Sequence, residues 1–398
     1  MKNLNIIVIG TGMYSVGRGT DGFGTILPSI GEWKRNGGKL GKVTFVSTNC
    51  KSSKVALEKA KKLKKRTSIE IDVEAFPTEE GSYPNAYKDV ISSIPQPACV
   101  IIVVPDHLHY QVAKDCLEAN LPILMVKPLT PTAEEGRDLI RLAEKNNLYA
   151  AIEFHKRLDK ANLMMRDLIQ EKKIGDLLYC WVEYSQRKSI PTEIFKAWTE
   201  KTSILQYLGI HYIDIVRFAT NATPKRVMAI GQKNWLPLQG LDAYDSIQCF
   251  VEWVAPNGST FTQIILTNWI DPESSSSMSD QKIKVVGTNG RFESDQKDRG
   301  IKINIDDLGI SQPNPYFCAE YGNKSGERKW EGYGIDSVME FLTDIVNINS
   351  GIIDHKDLKT KRPTFSESLI STLVVEAAHS SLSENNIWKD ISSGNQNE

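Results

Sequence analysis

The chain has 398 residues, with 48 Lys+Arg against 49 Asp+Glu, for a formal net charge of −1. At roughly 150 residues per domain this length predicts two or three domains. A composition of 40% hydrophobic and 24% charged residues is that of a globular protein, not a disordered one. With the charges balanced, no global field recruits nucleic acid or an acidic lipid surface.

Six scattered cysteines (Cys50, Cys99, Cys116, Cys180, Cys249, Cys318) form no C-x-x-C pair. That spacing suits neither a zinc site nor a disulfide framework, and it fits a reducing compartment. The apolar stretch near the N-terminus is too short for a signal peptide, and nothing approaches the roughly 18 apolar residues of a membrane helix. The expectation is a soluble cytoplasmic protein that binds neither nucleic acid nor membrane.

Residues 4–9 are a β-branched run ending at Gly10, the pattern of a strand buried on both faces of a parallel sheet. After a glycine-rich stretch and a helix starting near Thr25, a second strand is predicted over 43–48. The lysine-rich 53–66 carries Val55, Ala56, Ala60 and Leu63 at helical spacing. A strand at 99–104 stops at Pro105, a helix covers 109–119, and a strand at 123–126 stops at Lys127-Pro128. This alternation predicts a doubly wound α/β unit. A helix over 132–145, a strand over 149–154 and a helix over 160–171 follow.

Beyond Gly175 the strands lengthen, at 177–184, 225–231, 246–254 and 260–267. A hairpin of 283–286 and 290–293 turns at Gly287-Thr288-Asn289-Gly290. Successive strands with few helices between them predict a second, α+β domain on a mostly antiparallel open sheet. The four serines within 272–279 mark a flexible loop. Helices over 335–347 and 366–383 close the chain. The predicted division is a dinucleotide-binding domain at 1–128, a substrate and oligomerisation domain at 129–390, and a frayed polar tail at 391–398.

The first strand runs into Gly10-Thr11-Gly12-Met13-Tyr14-Ser15. In a dinucleotide fold the first glycine makes the tight turn and the second lets backbone amides approach the pyrophosphate; the third glycine position is Ser15 here. Gly17, Gly19, Gly22 and Gly24 extend this loop, and the insert is expected to reach over the cofactor or towards an adjoining site. A merely flexible loop is the bland alternative. The second strand normally ends in an acid that bonds the adenosine ribose of NAD. Here stands Thr48-Asn49-Cys50-Lys51-Ser52-Ser53-Lys54. Asn49 can bond a ribose hydroxyl while Lys51, Ser52 and Lys54 hold a 2′-phosphate. The cofactor is therefore NAD or NADP, with a lean to NADP, although such lysines are often only solvated.

Val104-Pro105-Asp106-His107-Leu108-His109 follows a parallel strand, where ligands of such sheets bind. Its H-x-H spacing lacks the further ligands of a metal site, and none is predicted. The loop instead packs on a nicotinamide ribose, or His109 caps the helix. Lys127-Pro128 places an ammonium at a strand's carboxyl end, where it can bond a substrate hydroxyl, stabilise an alkoxide or relay a proton; an exposed lysine is the alternative. In 205–214, Tyr207 and His211 are four apart and share one predicted helix face. Such a pair can bind and deprotonate a hydroxyl, or fill a core. Glu153, His155, Lys156 and Arg157 are candidate substrate contacts or a solvated helix start. Trp181, Trp198 and Trp235 can stack on a sugar or fill the sheet's core.

In order and spacing these stations resemble the Gfo/Idh/MocA family: Gly10 and Gly12, Pro105 to His109, Lys127-Pro128, Glu153-Phe154-His155-Lys156-Arg157, Gly209-Ile210-His211-Tyr212-Ile213-Asp214, and the hairpin at Gly287-Thr288-Asn289-Gly290. The resemblance implies an N-terminal Rossmann domain and a C-terminal open sheet that builds dimer or tetramer interfaces. It also implies NAD(P)-dependent oxidation or reduction of a hydroxyl or keto group on a sugar, sugar derivative, cyclitol or nucleotide sugar. Lys127 and His211 match the family's catalytic lysine and histidine. Two family acids are replaced: the glutamate of Glu-Lys-Pro is Val126, and the aspartate four before the histidine is Tyr207.

The resulting expectation makes Lys127, His211 and Tyr207 catalytic. Gly10, Thr11, Gly12, Met13, Tyr14, Asn49, Lys51, Ser52, Val104, Pro105, His109 and Lys127 bind the cofactor. Lys127, His155, Arg157, Tyr207 and His211 contact substrate. The alternative is a non-catalytic dinucleotide or sugar sensor on the same scaffold, with the missing acids in its favour and the retained Lys127 and His211 against it. An enzyme cycling a tightly held cofactor between two substrates is a third reading.

Overall fold

Residues 2–322 and 326–391 are described by the structure, a computed structural model. All but the first residue of the tail expected at 391–398 lies outside the described residues. In chain order the strands are β1 (Leu4–Ile9), β2 (Leu40–Val46), β3 (Val73–Phe76), β4 (Ala98–Ile102), β5 (Ile123–Val126), β6 (Ala150–Glu153), β7 (Leu177–Arg187), β8 (Thr223–Gln232), β9 (Ser246–Val254), β10 (Thr260–Asp271), β11 (Ser279–Gly287) and β12 (Gly290–Asp295). Four short strands follow, β13 (Ile303–Ile305), β14 (Gly309–Ser311), β15 (Ala319–Gly322) and β16 (Arg328–Glu331), and then β17 (Lys389–Asp390). The helices are α1 (Met13–Val16), α2 (Ile26–Arg35), α3 (Cys50–Thr67), α4 (Ala86–Ser93), α5 (His109–Glu118), α6 (Ala133–Lys145), α7 (Lys160–Gln170), α8 (Ile210–Thr220), α9 (Tyr333–Asn349) and α10 (Phe365–Ser383).

The chain divides into two units. The first holds Met1–Thr130, Glu134–Leu158 and Tyr316–Ser368; the second holds Pro131–Ala133, Asp159–Pro315 and Leu369–Glu398. In the first unit six parallel strands run β3-β2-β1-β4-β5-β6. Their near-continuous burial follows from β-branched runs covered on both faces. The order reverses between β1 and β4, so the loops leaving the carboxyl ends of these strands border the crevice where such sheets bind ligands. β6 comes from residues read from sequence as part of the second domain; it joins this sheet because it registers on β5, Val126 opposite Glu153.

The C-terminal return is the larger surprise. α9 lays Ile335, Val338, Phe341, Leu342 and Ile345 into one core with Ile26, Ile30 and Trp33 of α2, and Trp33 Nε1 donates to Thr343 Oγ1 at 3.2 Å. Phe341 stacks on Tyr149, with centroids 5.6 Å apart. Phe341 is 2% exposed, so Phe341→Ala should destabilise the protein by about 3–5 kcal/mol. A urea melt that moves by under about 1 kcal/mol would contradict this packing.

In the second unit a seven-stranded sheet runs β12-β11-β7-β10-β9-β8-β17. Only β7 and β10 pair in parallel; the other neighbours are antiparallel. Strict alternation of burial along β9 and β10 shows one covered face and one half-exposed face. Trp253 and Trp269 are fully buried here. Trp181, Trp198 and Trp235 are only half-buried. Among the described residues no helix is long and apolar enough to cross a membrane.

Candidate active site

The first unit assembles its polar groups at the carboxyl ends of β1, β2, β4, β5 and β6. Gly10 leaves β1 at φ +107, and a Cβ there would lie 2.0 Å from the Val103 carbonyl oxygen. Only glycine can make this turn. A Cβ at Gly12, by contrast, would meet no atom within 4 Å. Thr11 Oγ1 and Ser15 Oγ are buried without a hydrogen-bond partner. A dinucleotide fits this loop: backbone approach is open at Gly12, and two buried hydroxyls lack partners among the described residues.

Met13 and Tyr14 fall in the single helical turn α1, before the insert. The insert is not a loose loop. Gly17 and Gly24 meet at its neck, where a Cβ on Gly17 would lie 2.2 Å from the Gly22 oxygen. Lys59 Nζ of α3 donates to the Thr20 and Gly22 carbonyls at 2.6 and 2.5 Å, and Phe23 meets Trp330 edge-on. Arg18 projects from this loop and donates to Ser52 Oγ at 2.5 Å. Sequence reasoning missed Arg18, because nothing local pairs residue 18 with residue 52.

Asn49 caps α3, its side chain accepting from the Ser52 N–H at 3.0 Å. No acid stands in the helix's first turn. Lys51 and Lys54 are exposed and Ser52 is buried.

After β4, His109 is fully buried, with Nδ1 2.7 Å from the Pro128 carbonyl and Nε2 3.0 Å from that of Val104. Burial lowers its pKa. The ring ties the Val104-Pro105 turn to the Lys127-Pro128 turn, whose peptide is cis. Both ring nitrogens of His109 thus face backbone carbonyls, and Val104 and Pro105 beside it are half-buried.

Lys127 is half-buried at the end of β5. Desolvation lowers its ammonium to about 8, while the Asp106 and Glu153 carboxylates pull it upward. Glu153 is 3% exposed at the end of β6. It lies 2.9 Å from His155 Nδ1 and accepts from Ser337 Oγ of α9 at 2.7 Å.

The His155 ring is enclosed by Tyr14 (centroids 6.3 Å apart), Phe317 (5.1 Å) and Tyr333 (5.6 Å). The Tyr14 hydroxyl lies 3.4 Å from His155 Nδ1, and its pKa rises well above normal through burial and then through Glu153. Lys156 and Arg157 are also buried. Burial raises the Glu340 carboxyl, and the charges of Arg362 and Arg157 pull it back. His155 and Arg157 are thus not a solvated helix start. Phe317, Tyr333 and Ser337, far along the chain, come back to His155 and Glu153.

The second unit carries His211 and Tyr207. Residues Leu205–Gly209 form one π turn that runs straight into α8. Tyr207 sits among Phe195 (4.8 Å), Trp198 (5.8 Å) and Trp269 (6.3 Å). The buried His211 lies beside Tyr184, centroids 6.4 Å apart. Among the described residues no group of three or more His, Cys, Asp or Glu is placed to hold a metal.

Residues 28–154 match the model of an oxidoreductase family with an NAD-binding Rossmann fold, and 162–293 match the GFO/IDH/MocA C-terminal domain. The first match begins inside α2, so β1 and the glycine loop lie outside it. A scyllo-inositol 2-dehydrogenase (NADP(+)) of Bacillus subtilis is 33% identical over 128 residues, 31% of this chain and 35% of that protein. A levoglucosan dehydrogenase of Pseudarthrobacter phenanthrenivorans is 29% identical over 143 residues, 34% of this chain and 37% of that one. The chain thus spans about a third of the length of these curated relatives. Solved structures similar over 98% of this chain and 100% of theirs include two inositol dehydrogenases. One is a scyllo-inositol dehydrogenase from Lactobacillus casei with bound NAD(H) and scyllo-inositol (TM-score 0.69, 16% identity). The other is a myo-inositol 2-dehydrogenase from Lactobacillus plantarum (TM-score 0.68, 17% identity). At these identities the likeness is one of fold. With both of its domain models matched in order, the chain belongs to the Gfo/Idh/MocA oxidoreductase family.

Proposed function

We propose that the chain is an NAD(P)-dependent dehydrogenase or reductase acting on a hydroxyl or keto carbon of a polyhydroxylated ring: a sugar, sugar derivative, cyclitol or nucleotide sugar. The observation that carries this reading is Lys127. It stands half-buried at a strand's carboxyl end, two strands from the glycine loop in the same sheet, with an ammonium lowered to about 8. Gly10, Thr11, Gly12 and Met13 hold the dinucleotide, which when bound gives or takes the hydride. Lys127 hydrogen-bonds the reacting oxygen and stabilises the negative charge that builds there. His211 takes up or returns the hydroxyl proton, and Tyr207 bonds a neighbouring hydroxyl.

Lys127 acts as the ammonium, which is present below about pH 8 and lost above it. Oxidation measured as kcat/KM should therefore fall on an alkaline limb near pH 8. A rate still rising through pH 9.5 would exclude the charged role. The decisive experiment follows nicotinamide absorbance with a panel of sugars, cyclitols and nucleotide sugars. Hydride exchange with any member supports the enzyme, whereas tight dinucleotide binding without exchange favours a sensor.

Arg18 beside Ser52, with exposed Lys51 and Lys54 and no acid at the end of β2, supports NADP as the preferred cofactor. Arg18→Ala should weaken NADP+ about tenfold and leave NAD+ within about twofold, the loss of one charge-assisted contact. Equal effects on both, by fluorescence titration, would remove the preference.

The half-exposed face of the second unit's sheet carries Leu178 (52%), Tyr179 (39%) and Ile230 (39%) in the open, which supports a homo-oligomeric contact there. Sedimentation of Leu178→Asp against the parent protein tests it, a lighter species being expected. All six cysteines are free thiols, which supports a reducing cytoplasmic setting.

A further inference from the structure

We propose that Lys59 is a positioning residue for cofactor choice: it fastens the glycine-rich insert 17–24 to α3, so that Arg18 stands at the end of β2 before a 2′-phosphorylated dinucleotide arrives. This inference rests on the reading of Arg18 as a contact for the 2′-phosphate. Residues 17–24 lie between α1 and α2 and contain neither helix nor strand. With glycine at 17, 19, 22 and 24, the segment has much backbone freedom to lose when it takes one shape. Anchors along its length give it that shape. At the neck the Thr25 N–H donates to the Tyr14 carbonyl at 2.7 Å, and a Cβ on Gly24 would lie 2.6 Å from the same oxygen. Phe23 is 8% exposed and meets Trp330 edge-on, with centroids 5.4 Å apart. The remaining anchor is Lys59.

Lys59 is 9% exposed, and a lysine is rarely buried so far unless its charge is met. Its Nζ donates to the Thr20 and Gly22 carbonyls at 2.6 and 2.5 Å and stands 5.7 Å from the centroid of the Phe23 ring. Both carbonyls belong to the insert, so the hydrogen bonds that offset the burial of this cation also fix the insert. Thr20 Oγ1 donates to the Gly17 carbonyl at 3.0 Å and accepts from the Gly22 N–H at 3.2 Å, which ties the gripped turn to the neck. Ser52, Ala56, Lys59 and Leu63 share the buried face of α3, and Ser52 lies about two turns, or about 10 Å, before Lys59. Arg18 Nη1 donates to Ser52 Oγ at 2.5 Å, in the helical turn that also carries the exposed Lys51 and Lys54. One helix therefore meets the insert at both places, and the Arg18 backbone is held between Gly17 at the neck and Thr20 under Lys59. A cationic fork ordered in advance binds a phosphate with less loss of side-chain and loop freedom than one ordered on contact.

The test separates positioning from a merely structural role by comparing two dinucleotides. NADP+ and NAD+ affinities are measured by fluorescence titration on the parent protein, Lys59→Met, Arg18→Ala and the double variant, with a thermal melt of each. Hydrogen exchange over residues 17–25, followed by mass spectrometry, reads the insert itself without cofactor. Lys59→Met should weaken NADP+ about fivefold and leave NAD+ within about twofold, and its insert should exchange faster than the parent's. Because Lys59 acts through Arg18, the double variant should bind NADP+ no more weakly than Arg18→Ala alone. Equal weakening of both dinucleotides, an unchanged NADP+ affinity in folded Lys59→Met, or fully multiplied losses in the double variant would each overturn the inference. If Lys59→Met does not fold, the same comparison is decided on Lys59→Gln, whose shorter neutral amide keeps a donor but loosens the grip. Should Arg18→Ala leave NADP+ affinity unchanged, the 2′-phosphate reading fails on its own, because exchange in Lys59→Met still decides whether Lys59 holds the insert.

Discussion

Lys127→Ala should lower kcat/KM by about a thousandfold, roughly 4 kcal/mol of transition-state stabilisation, while dinucleotide affinity stays within about threefold. The two readouts separate because, on the proposed reading, the side chain serves the reacting oxygen while backbone at Gly10 to Met13 holds the dinucleotide. Burial lowers the Lys127 ammonium to about 8, so Lys127→Arg is informative. A guanidinium stays charged to far higher pH. Whatever activity remains in that variant should lose its alkaline limb near pH 8. Stopped-flow turnover over pH 6–10, beside fluorescence titration with the dinucleotide, measures both effects. Full activity in Lys127→Ala would leave the retained lysine without a catalytic role.

A second large effect should split the two glycines along the roles their positions predict, the tight turn and the approach to the pyrophosphate. At Gly10 a new Cβ would overlap the Val103 carbonyl at 2.0 Å and strain a backbone at φ +107. Gly10→Ala should therefore destabilise the protein by about 3 kcal/mol or more and abolish dinucleotide binding with it. At Gly12 the backbone is at φ −78 and the same Cβ touches nothing within 4 Å. Gly12→Ala should leave the melting curve within about 0.5 kcal/mol yet weaken the dinucleotide about a hundredfold, because the methyl stands where the pyrophosphate approaches. Calorimetry and binding on the same two proteins check the split. Equal stability losses would show that Gly12 serves folding rather than the cofactor.

What could be read in advance, and what could not, divides by the range of the physics. β1 and β5 are found where sequence predicts them, Leu4–Ile9 and Ile123–Val126. Both are unbroken apolar runs stopped by Gly10 and by Lys127-Pro128, so their boundaries are local. β3, Val73–Phe76, was not legible: it is an edge strand, mostly half-buried, within the charge-interrupted Ile69 to Phe76. The exposed strands β13 and β14 carry no burial pattern at all. The π turn at Leu205–Gly209, which leads straight into α8, leaves no mark in the apolar spacing.

At the candidate site, Lys127 and the glycine loop were legible because each follows a strand. Glu153 was noticed, but its relation to Val126 depends on the register of two strands, which no local pattern encodes. Arg18 on Ser52 and the rings around His155 depend on contacts spanning 34 residues in one case and more than 140 in the others.

The return of residues 316–368 to the first unit bears on how the chain is made. A ribosome delivers α2 with Ile26, Ile30 and Trp33, but the helix that covers them, Tyr333–Asn349, emerges some 300 residues later. At about 5–20 residues per second that interval is roughly 15–60 s. The nascent parallel sheet must wait through it with one apolar flank uncovered while strands β7 to β12 of the second sheet are synthesised. A nascent chain in that interval is a natural client for a holding chaperone.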